Sequence, residues 1–370
     1  MSAVFKHKLT LKVSSQKIDW LLVGLVLGLT IFGLVMVGNV SVAEAYRDFG
    51  DKFYYFRLQV QWAGLGLVAF FLASVFDYRR LKHFGLPLLL VTLVALILVL
   101  VPGLGTKVMG ARRWLVVAGL SFQPAELAKL TVVLYLASFF SKKRSPLPFF
   151  ALLGILVTLM MFEPDLGTTV VLAATSLVVY FASGASIGLI GLVGLLGLAS
   201  GASLISFSAY RKERLLTFLD PMRDPLGASY HIRQILIALG SGGIFGLGLG
   251  QSRQKYEYLP AATTDSIFAI IAEELGFIGA VVILLIFLVI IWRGFKIASR
   301  APDDFGKLLA VGITAWIGFQ ALVNLGSMVA LIPLTGVPLP LISYGGSSLV
   351  IVLVGMGILI NISKHQVVKK

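Results

Sequence analysis

Long apolar runs separated by short polar segments dominate the pattern of this chain. Each run is close to the roughly 20 residues that an α-helix needs to cross a bilayer. The pattern therefore predicts an all-α polytopic membrane protein with about ten transmembrane helices, of which the fifth and sixth are short and nearly continuous. The ten runs lie near 20–38, 58–76, 85–102, 125–141, 148–163, 168–184, 187–206, 266–292, 308–332 and 344–362.

Polar segments between the runs predict the topology. Ten spans place both termini on one side of the membrane, and the loops on that side are rich in lysine and arginine, as cytoplasmic loops are. We therefore predict a cytoplasmic N-terminal segment (1–19), one transmembrane domain (20–363) and a cytoplasmic tail (364–370). The longest polar segment, 207–265, becomes a large extracytoplasmic loop between helices 7 and 8.

Composition agrees with a membrane protein and excludes other classes. Of the residues, 58% are hydrophobic and 13% are charged, and the mean hydropathy is +0.95. Cysteine is absent, which excludes disulfides and thiolate metal sites, and the four histidines are too scattered for a histidine metal site. The net charge of +14 is compatible with nucleic-acid binding. Because the cations lie in short loops between apolar runs, no nucleic-acid partner is predicted.

The carboxylate of Asp265 is the first candidate for chemistry. It lies where the long outer loop meets a strongly apolar helix. Placing a charge near a bilayer interior costs free energy, so a carboxylate found there is a functional candidate. Helix capping by Thr263, Thr264 or Asp265 is the alternative interpretation. A two-carboxylate glycosidase pair with Glu273 is disfavoured, because eight helical residues span roughly 12 Å and such pairs need about 5–9.5 Å.

Charged residues in the first outer loop, 103–124, and just after it form a second group of candidates. Glu126 and Lys129 share one face of a helix start, where they would form either a structural ion pair or part of the site. Arg112 and Arg113 adjoin Trp114. They suit an interfacial anchor, and they equally suit a diphosphate, since guanidinium groups pair with phosphate oxygens.

Irregular segments at the outer boundary supply the remaining candidates. Asp165 lies in a Pro–Gly break between two apolar runs, where it would cap the next helix or line a cavity. The loop 207–265 carries Arg211 and Arg214 among other cations. The proline- and glycine-rich segment 336–348 carries Ser343 and Tyr344, and its polar groups must face protein or a wet cavity.

Seven motifs in order, across about 100–350, make the chain resemble the SEDS family (shape, elongation, division and sporulation), which includes FtsW, RodA and SpoVE. The segment Gly248–Tyr256 is more similar to the FtsW and SpoVE branch than to RodA. The seven motifs are Gly110–Trp114, Phe122–Lys129, Pro164–Thr168, Gly240–Gly243, Tyr258–Pro260, Thr264–Gly276 and Pro340–Ser348.

This resemblance implies a peptidoglycan glycosyltransferase of the bacterial plasma membrane, with Asp265 as its catalytic residue. Such proteins polymerise lipid II on the outer face and work with a class B penicillin-binding protein and other divisome or elongasome membrane proteins. The chain departs from the family pattern Leu-Pro-Glu-Ala-His-Thr-Asp-Phe, because Ala261, Thr263 and Ser266 replace Glu, His and Phe. A lost Glu and His cannot be essential here.

Our hypothesis from the sequence is an inverting transfer in which Asp265 acts as general base on a sugar 4-hydroxyl. We assign substrate binding to Arg112, Arg113, Lys129, Arg211, Arg214, Ser343 and Tyr344. Glu126, Asp165 and Glu273 are assigned to the structure of the cavity. The pattern predicts no protein metal cage, although a divalent cation (Mg²⁺ or Mn²⁺) is compatible with it.

Two other classes of function remain open. Broken helices and buried carboxylates also suit a lipid II flippase, although the charged motifs cluster on the outer face rather than at the bilayer midplane. A structural scaffold for a division or elongation complex would leave the clustered arginines and Asp265 unexplained.

Overall fold

The computed structural model describes residues 17–108, 111–117, 119–142, 145–206, 209–224 and 226–367. This part of the chain contains thirteen α-helices and three short strands. The helices are α1 (Trp20–Val40), α2 (Val42–Phe49), α3 (Tyr54–Val75), α4 (Tyr78–Leu100), α5 (Pro124–Phe140), α6 (Leu147–Phe162), α7 (Leu166–Ala182), α8 (Ile187–Ser206), α9 (Ala209–Leu219), α10 (Tyr230–Gly242), α11 (Ile267–Ser299), α12 (Asp304–Met328) and α13 (Gly346–Ser363); the strands are β1 (Gly105–Val108), β2 (Ala111–Val117) and β3 (Leu120–Phe122).

Each of the ten apolar runs coincides with a helix, so the prediction of a helical membrane protein is confirmed. Six helices, α1, α3, α4, α11, α12 and α13, are long and apolar enough to cross a bilayer. Helices α6 and α7 and the Ile187–Gly197 part of α8 are apolar but shorter. Helix α5 has 17 residues and carries Glu126 and Lys129. The count of ten spans therefore stays a prediction, as do the division 1–19, 20–363 and 364–370 and the orientation of the termini.

Three segments between the apolar runs contain short elements that the sequence pattern did not predict. The segment 103–124, predicted to be the first outer loop, contains an antiparallel sheet with strand order β1-β2-β3. The loop 207–265 contains α9 and α10, and α2 follows the first span. A search for runs of about 20 apolar residues does not detect such short elements. In β2, Trp114 and the valines are residue types that favour strands.

The bundle is built around α12 and α13, which are the most buried of the long helices. Helix α12 packs against α5, α7 and α11, while α13 packs against α3. Glycine permits the closest of these approaches, because a Cβ on Gly357 of α13 would overlap the carbonyl oxygen of Phe70 in α3. The polar side chains of Gln320 and Asn324 on α12 are thus enclosed by other helices.

Helix α11 is broken at Gly276, whose φ of 68° and ψ of −170° are non-helical. The glycine-rich segment 240–250 lies against this break. Gly248 N donates to Glu274 O over 3.0 Å, and Phe277 N donates to Gly243 O over 2.9 Å. The glycines therefore let one backbone approach another. This contact holds the break in α11, eleven positions after Asp265.

Candidate active site

Asp265 lies at the end of the long loop, two residues before α11, and its side chain does not cap that helix. The N-cap position is Ser266, and no side chain makes a capping hydrogen bond there. The Asp265 carboxylate is partly exposed, and its Oδ1 accepts a hydrogen bond from Thr264 Oγ1 over 3.1 Å. The capping interpretation was therefore wrong. A partly exposed carboxylate that serves no helix end is available for chemistry.

Asn324 of α12 holds the backbone at Asp265. Its Nδ2 donates to Asp265 O over 2.7 Å and to Val337 O over 2.8 Å. Gly336, with a φ of +72°, lies beside the carboxylate, since a Cβ there would be 3.9 Å from Asp265 Oδ2. The irregular segment 336–348 and the loop before α11 thus meet at Asp265.

Helix α2 and the segment before α13 hold the same loop from the other side. Thr263 Oγ1 donates to Glu44 Oε2 over 3.1 Å, and Tyr344 N donates to Thr263 O over 2.9 Å. Burial raises the pKa of Glu44, while the hydrogen bond from Thr263 lowers it. Thr263 occupies the position of the family's histidine, and here its hydroxyl serves to fasten the loop.

A cavity of about 190 Å³ lies between α9, α10 and Leu334. Arg214 and His231 are in its wall. Arg214 Nη1 donates to Leu334 O over 3.0 Å, and His231 Nε2 lies 2.8 Å from Ser266 Oγ. Of the predicted substrate-binding cations, Arg214 is thus placed near Asp265. The side chain of Arg211 lies outside the described residues.

Arg112 and Arg113 occupy neighbouring positions in β2. The strand is irregular here, because Lys107 pairs with Arg112 and Thr106 pairs with Trp114, which leaves Arg113 as the extra residue of a bulge. Arg113 donates from Nε to Glu163 O over 2.9 Å and from Nη2 to Pro164 O. Arg113 therefore fastens the sheet to the turn between α6 and α7, which is a structural use of its charge.

The predicted Glu126–Lys129 pair is confirmed, with 2.8 Å between Lys129 Nζ and Glu126 Oε1. Both side chains are at most 2% exposed. Lys129 Nζ also donates to Gln320 Oε1 over 2.7 Å, and the same oxygen accepts from Trp316 Nε1 over 2.9 Å. Lys129 thus joins α5 to α12 and does not face the cavity, contrary to its assignment to substrate binding.

The other assigned residues have structural contacts. Asp165 caps α7, since its Oδ1 accepts from Thr168 N over 3.1 Å. Glu273 accepts hydrogen bonds from Ser252 Oγ and from Arg253 N, the latter over 3.1 Å. Ser343 Oγ accepts from Leu339 N over 2.8 Å and is buried. The ring of Tyr344 packs edge-on against Tyr55.

Three residues of this site were not among the sequence candidates: Asn324, Gly336 and His231. Asn324 carried a usable signal, because a polar amide within an apolar span needs a buried partner. Gly336 and His231 carried none, since their contacts with Asp265 and Ser266 exist only in the folded chain. Among the described residues, no three His, Asp or Glu side chains are grouped to hold a metal ion.

Comparison with known proteins agrees with this architecture. The family model "Cell cycle protein" of FtsW, RodA and SpoVE matches residues 19–368. Stage V sporulation protein E of Bacillus subtilis (strain 168) is 42% identical, over 94% of this chain and 97% of that protein. A Trichlorobacter lovleyi protein named "Probable peptidoglycan glycosyltransferase FtsW" is 40% identical, over 93% of each chain.

Solved structures also match over most of the chain. One, described as "Structural coordination of polymerization and crosslinking by a peptidoglycan synthase complex", has a TM-score of 0.76 and 34% identity, over 94% of this chain and 97% of the other. The rod shape determining protein RodA of Thermus thermophilus has a TM-score of 0.69 and 32% identity, over 94% of this chain and 97% of RodA.

Proposed function

The chain belongs to the FtsW, RodA and SpoVE family of cell cycle proteins, and from this premise we propose a site and mechanism for its activity. It is a membrane-embedded peptidoglycan glycosyltransferase, like relatives of about 40% identity that carry this name. We propose that the substrate is lipid II, polymerised on the outer face of the plasma membrane. The single observation that carries the proposal is the Asp265 carboxylate, which does not cap its helix and directly precedes Ser266, the contact of His231 in the wall of the cavity that contains Arg214.

In the proposed reaction, Asp265 removes the proton from the 4-hydroxyl of the acceptor sugar. The hydroxyl oxygen forms a bond to the anomeric carbon of the donor as the bond from that carbon to the diphosphate oxygen breaks. The electron pair leaves with the diphosphate, which needs no proton because cationic groups stabilise its charge. Attack opposite to the leaving group inverts the anomeric carbon and gives a β-1,4 link.

Arg214 is our choice for the cation that receives the diphosphate. Its guanidinium lines the cavity and can present two donors to phosphate oxygens. Lys129 is excluded from this role by its burial between α5 and α12. The described residues do not group three metal ligands, so no step of the mechanism is assigned to a divalent cation.

Asn324 and Gly336 keep the base in position. The hydrogen bond from Asn324 fixes the backbone of Asp265, and the glycine leaves space beside Asp265 Oδ2. A general base must lie within hydrogen-bond reach of the proton that it removes, so a clamped backbone favours transfer.

A class B penicillin-binding protein is the proposed partner. The architecture is similar to a peptidoglycan synthase complex in which polymerisation and crosslinking are coordinated. Both activities act on the same glycan strand, so a partner beside this chain would receive the polymer as it forms.

The test is polymerisation of purified lipid II by the full chain with its penicillin-binding partner, comparing wild type with Asp265→Asn. We expect at least a 100-fold loss of rate, about the contribution of a general base, with an unchanged thermal unfolding midpoint. A variant as active as wild type would refute the role of Asp265. Absence of polymer from both proteins would favour the flippase alternative.

A further inference from the structure

His231 is a titratable group of this site that the proposed mechanism leaves unused. It lies in the first turn of α10, and its partly buried ring lines the cavity together with Arg214 and Leu334. Histidine changes charge within the physiological pH range. A histidine near a catalytic carboxylate therefore changes the electrostatic environment of that carboxylate as the pH changes.

The ring contacts the residue that directly follows Asp265. His231 Nε2 lies 2.8 Å from Ser266 Oγ, and Ser266 is completely buried. The family pattern has phenylalanine in place of Ser266, and a phenyl ring offers no comparable hydrogen bond. The imidazole and the hydroxyl thus connect α10 to the start of α11 at the point where Asp265 enters the site.

Charged groups around His231 come from three elements. Asp265 approaches from the loop before α11, and Arg214 and Glu213 from α9. Arg233 lies on α10 itself, and α12 contributes the uncharged Asn324 at Asp265. The two α11 carboxylates accept backbone hydrogen bonds elsewhere: Glu273 from Arg253 N and Glu274 from Ser252 N.

These surroundings keep the ring neutral near pH 7. Burial lowers the pKa of His231, and the charge of Arg214 lowers it further, while the charge of Asp265 raises it. The net direction is downward. Protonation therefore occurs only at acid pH, where the new positive charge attracts the Asp265 carboxylate.

We propose that His231 is a positioning residue for Asp265: its neutral ring anchors Ser266, and its protonated ring pairs with the Asp265 carboxylate and withdraws it from the acceptor hydroxyl. This inference rests on the proposed role of Asp265 as the base. It predicts a loss of polymerisation at acid pH that originates in a histidine outside the reacting groups.

The test is the pH profile of lipid II polymerisation from pH 5 to 8, measured on the full chain with its partner. We expect the wild-type turnover rate to fall about tenfold towards pH 5 as His231 takes up a proton and weakens the base. His231→Gln retains an amide for Ser266 but cannot titrate, so its rate should fall less than about threefold. His83→Gln, an exposed change in α4, is the matched control and should follow wild type.

Identical relative profiles for wild type and His231→Gln would overturn the inference. Should His231→Gln fail to fold, Ser266→Ala provides the second variant: we expect a roughly fivefold lower kcat at pH 8 with unchanged KM, and an unchanged kcat would count against the anchor. An active Asp265→Asn variant would instead refute the proposed function, so the two failures are distinguishable.

Discussion

Glu126 and Lys129 lie buried inside the helical bundle, whereas Asp265 lies partly exposed at the end of a loop, just before α11. Lys129 Nζ binds both Glu126 and Gln320, and neither charged side chain is more than 2% exposed. The Asp265 carboxylate is partly exposed and accepts from the neighbouring Thr264. Both regions place charge where the surrounding helices are apolar.

The difference between the two regions is what their hydrogen bonds hold in place. At Lys129, charged groups bind one another and so join α5 to α12. At Asp265, the bonds from Asn324 are to backbone oxygens, which fixes the chain without engaging the carboxylate. A charge is therefore structural when its own atoms join two helices, as at Lys129, and available for chemistry when the neighbouring helix binds the backbone instead, as at Asp265.

The largest effect that we expect from this contrast is on stability. Lys129→Met leaves the Glu126 carboxylate buried without its cation and should lower the free energy of unfolding by about 3–5 kcal/mol. Asp265→Asn, an isosteric change at a partly exposed site, should alter it by less than about 0.5 kcal/mol. Thermal or denaturant unfolding of the two variants in the same detergent measures both changes. Equal destabilisation would remove the distinction between the two regions.

The second expected effect is on the turnover rate, and it distinguishes the roles of two amide side chains of α12, Asn324 and Gln320. Asn324→Leu removes both bonds to the Asp265 loop, and we expect polymerisation to slow by about 10- to 100-fold through kcat, because a displaced base reacts poorly. The measurement is steady-state polymerisation with varied lipid II.

Gln320→Leu, four residues earlier, is the matched control for Asn324→Leu. It removes the acceptor of Lys129 and Trp316 and a donor to Pro338 O, but no direct contact of Asp265. We expect it to lower stability by about 1–3 kcal/mol while the folded fraction keeps most of its kcat. A larger kcat loss for Gln320→Leu than for Asn324→Leu would contradict the role of Asn324 in positioning the backbone of Asp265.

The sequence was informative where one residue or one run carries the signal. Hydropathy located the helices of the ten apolar runs, and the Glu126–Lys129 spacing predicted their ion pair. It could not supply contacts between distant segments: Asn324 reaches Asp265 across 59 positions, and His231 reaches Ser266 across 35. For the same reason Lys129 and Arg113 resembled phosphate ligands until their partners, Gln320 and the Glu163–Pro164 turn, were known.

The smallest effect that we expect concerns Gly336. Its φ of +72° lies in the left-handed region, so Gly336→Ala should cost about 1–2 kcal/mol of stability. The new methyl group would contact Asp265 Oδ2 without overlap, and we expect a threefold to fivefold lower polymerisation rate from crowding beside the carboxylate. Gly119→Ala is the matched control, because Gly119 has a φ of 81° and no atom within 4 Å of its added Cβ. Gly119→Ala should lower stability by a similar amount and leave the polymerisation rate unchanged, since its methyl group would not contact Asp265. Equal rates for the two variants would mean that the space beside Asp265 is not used by the reaction.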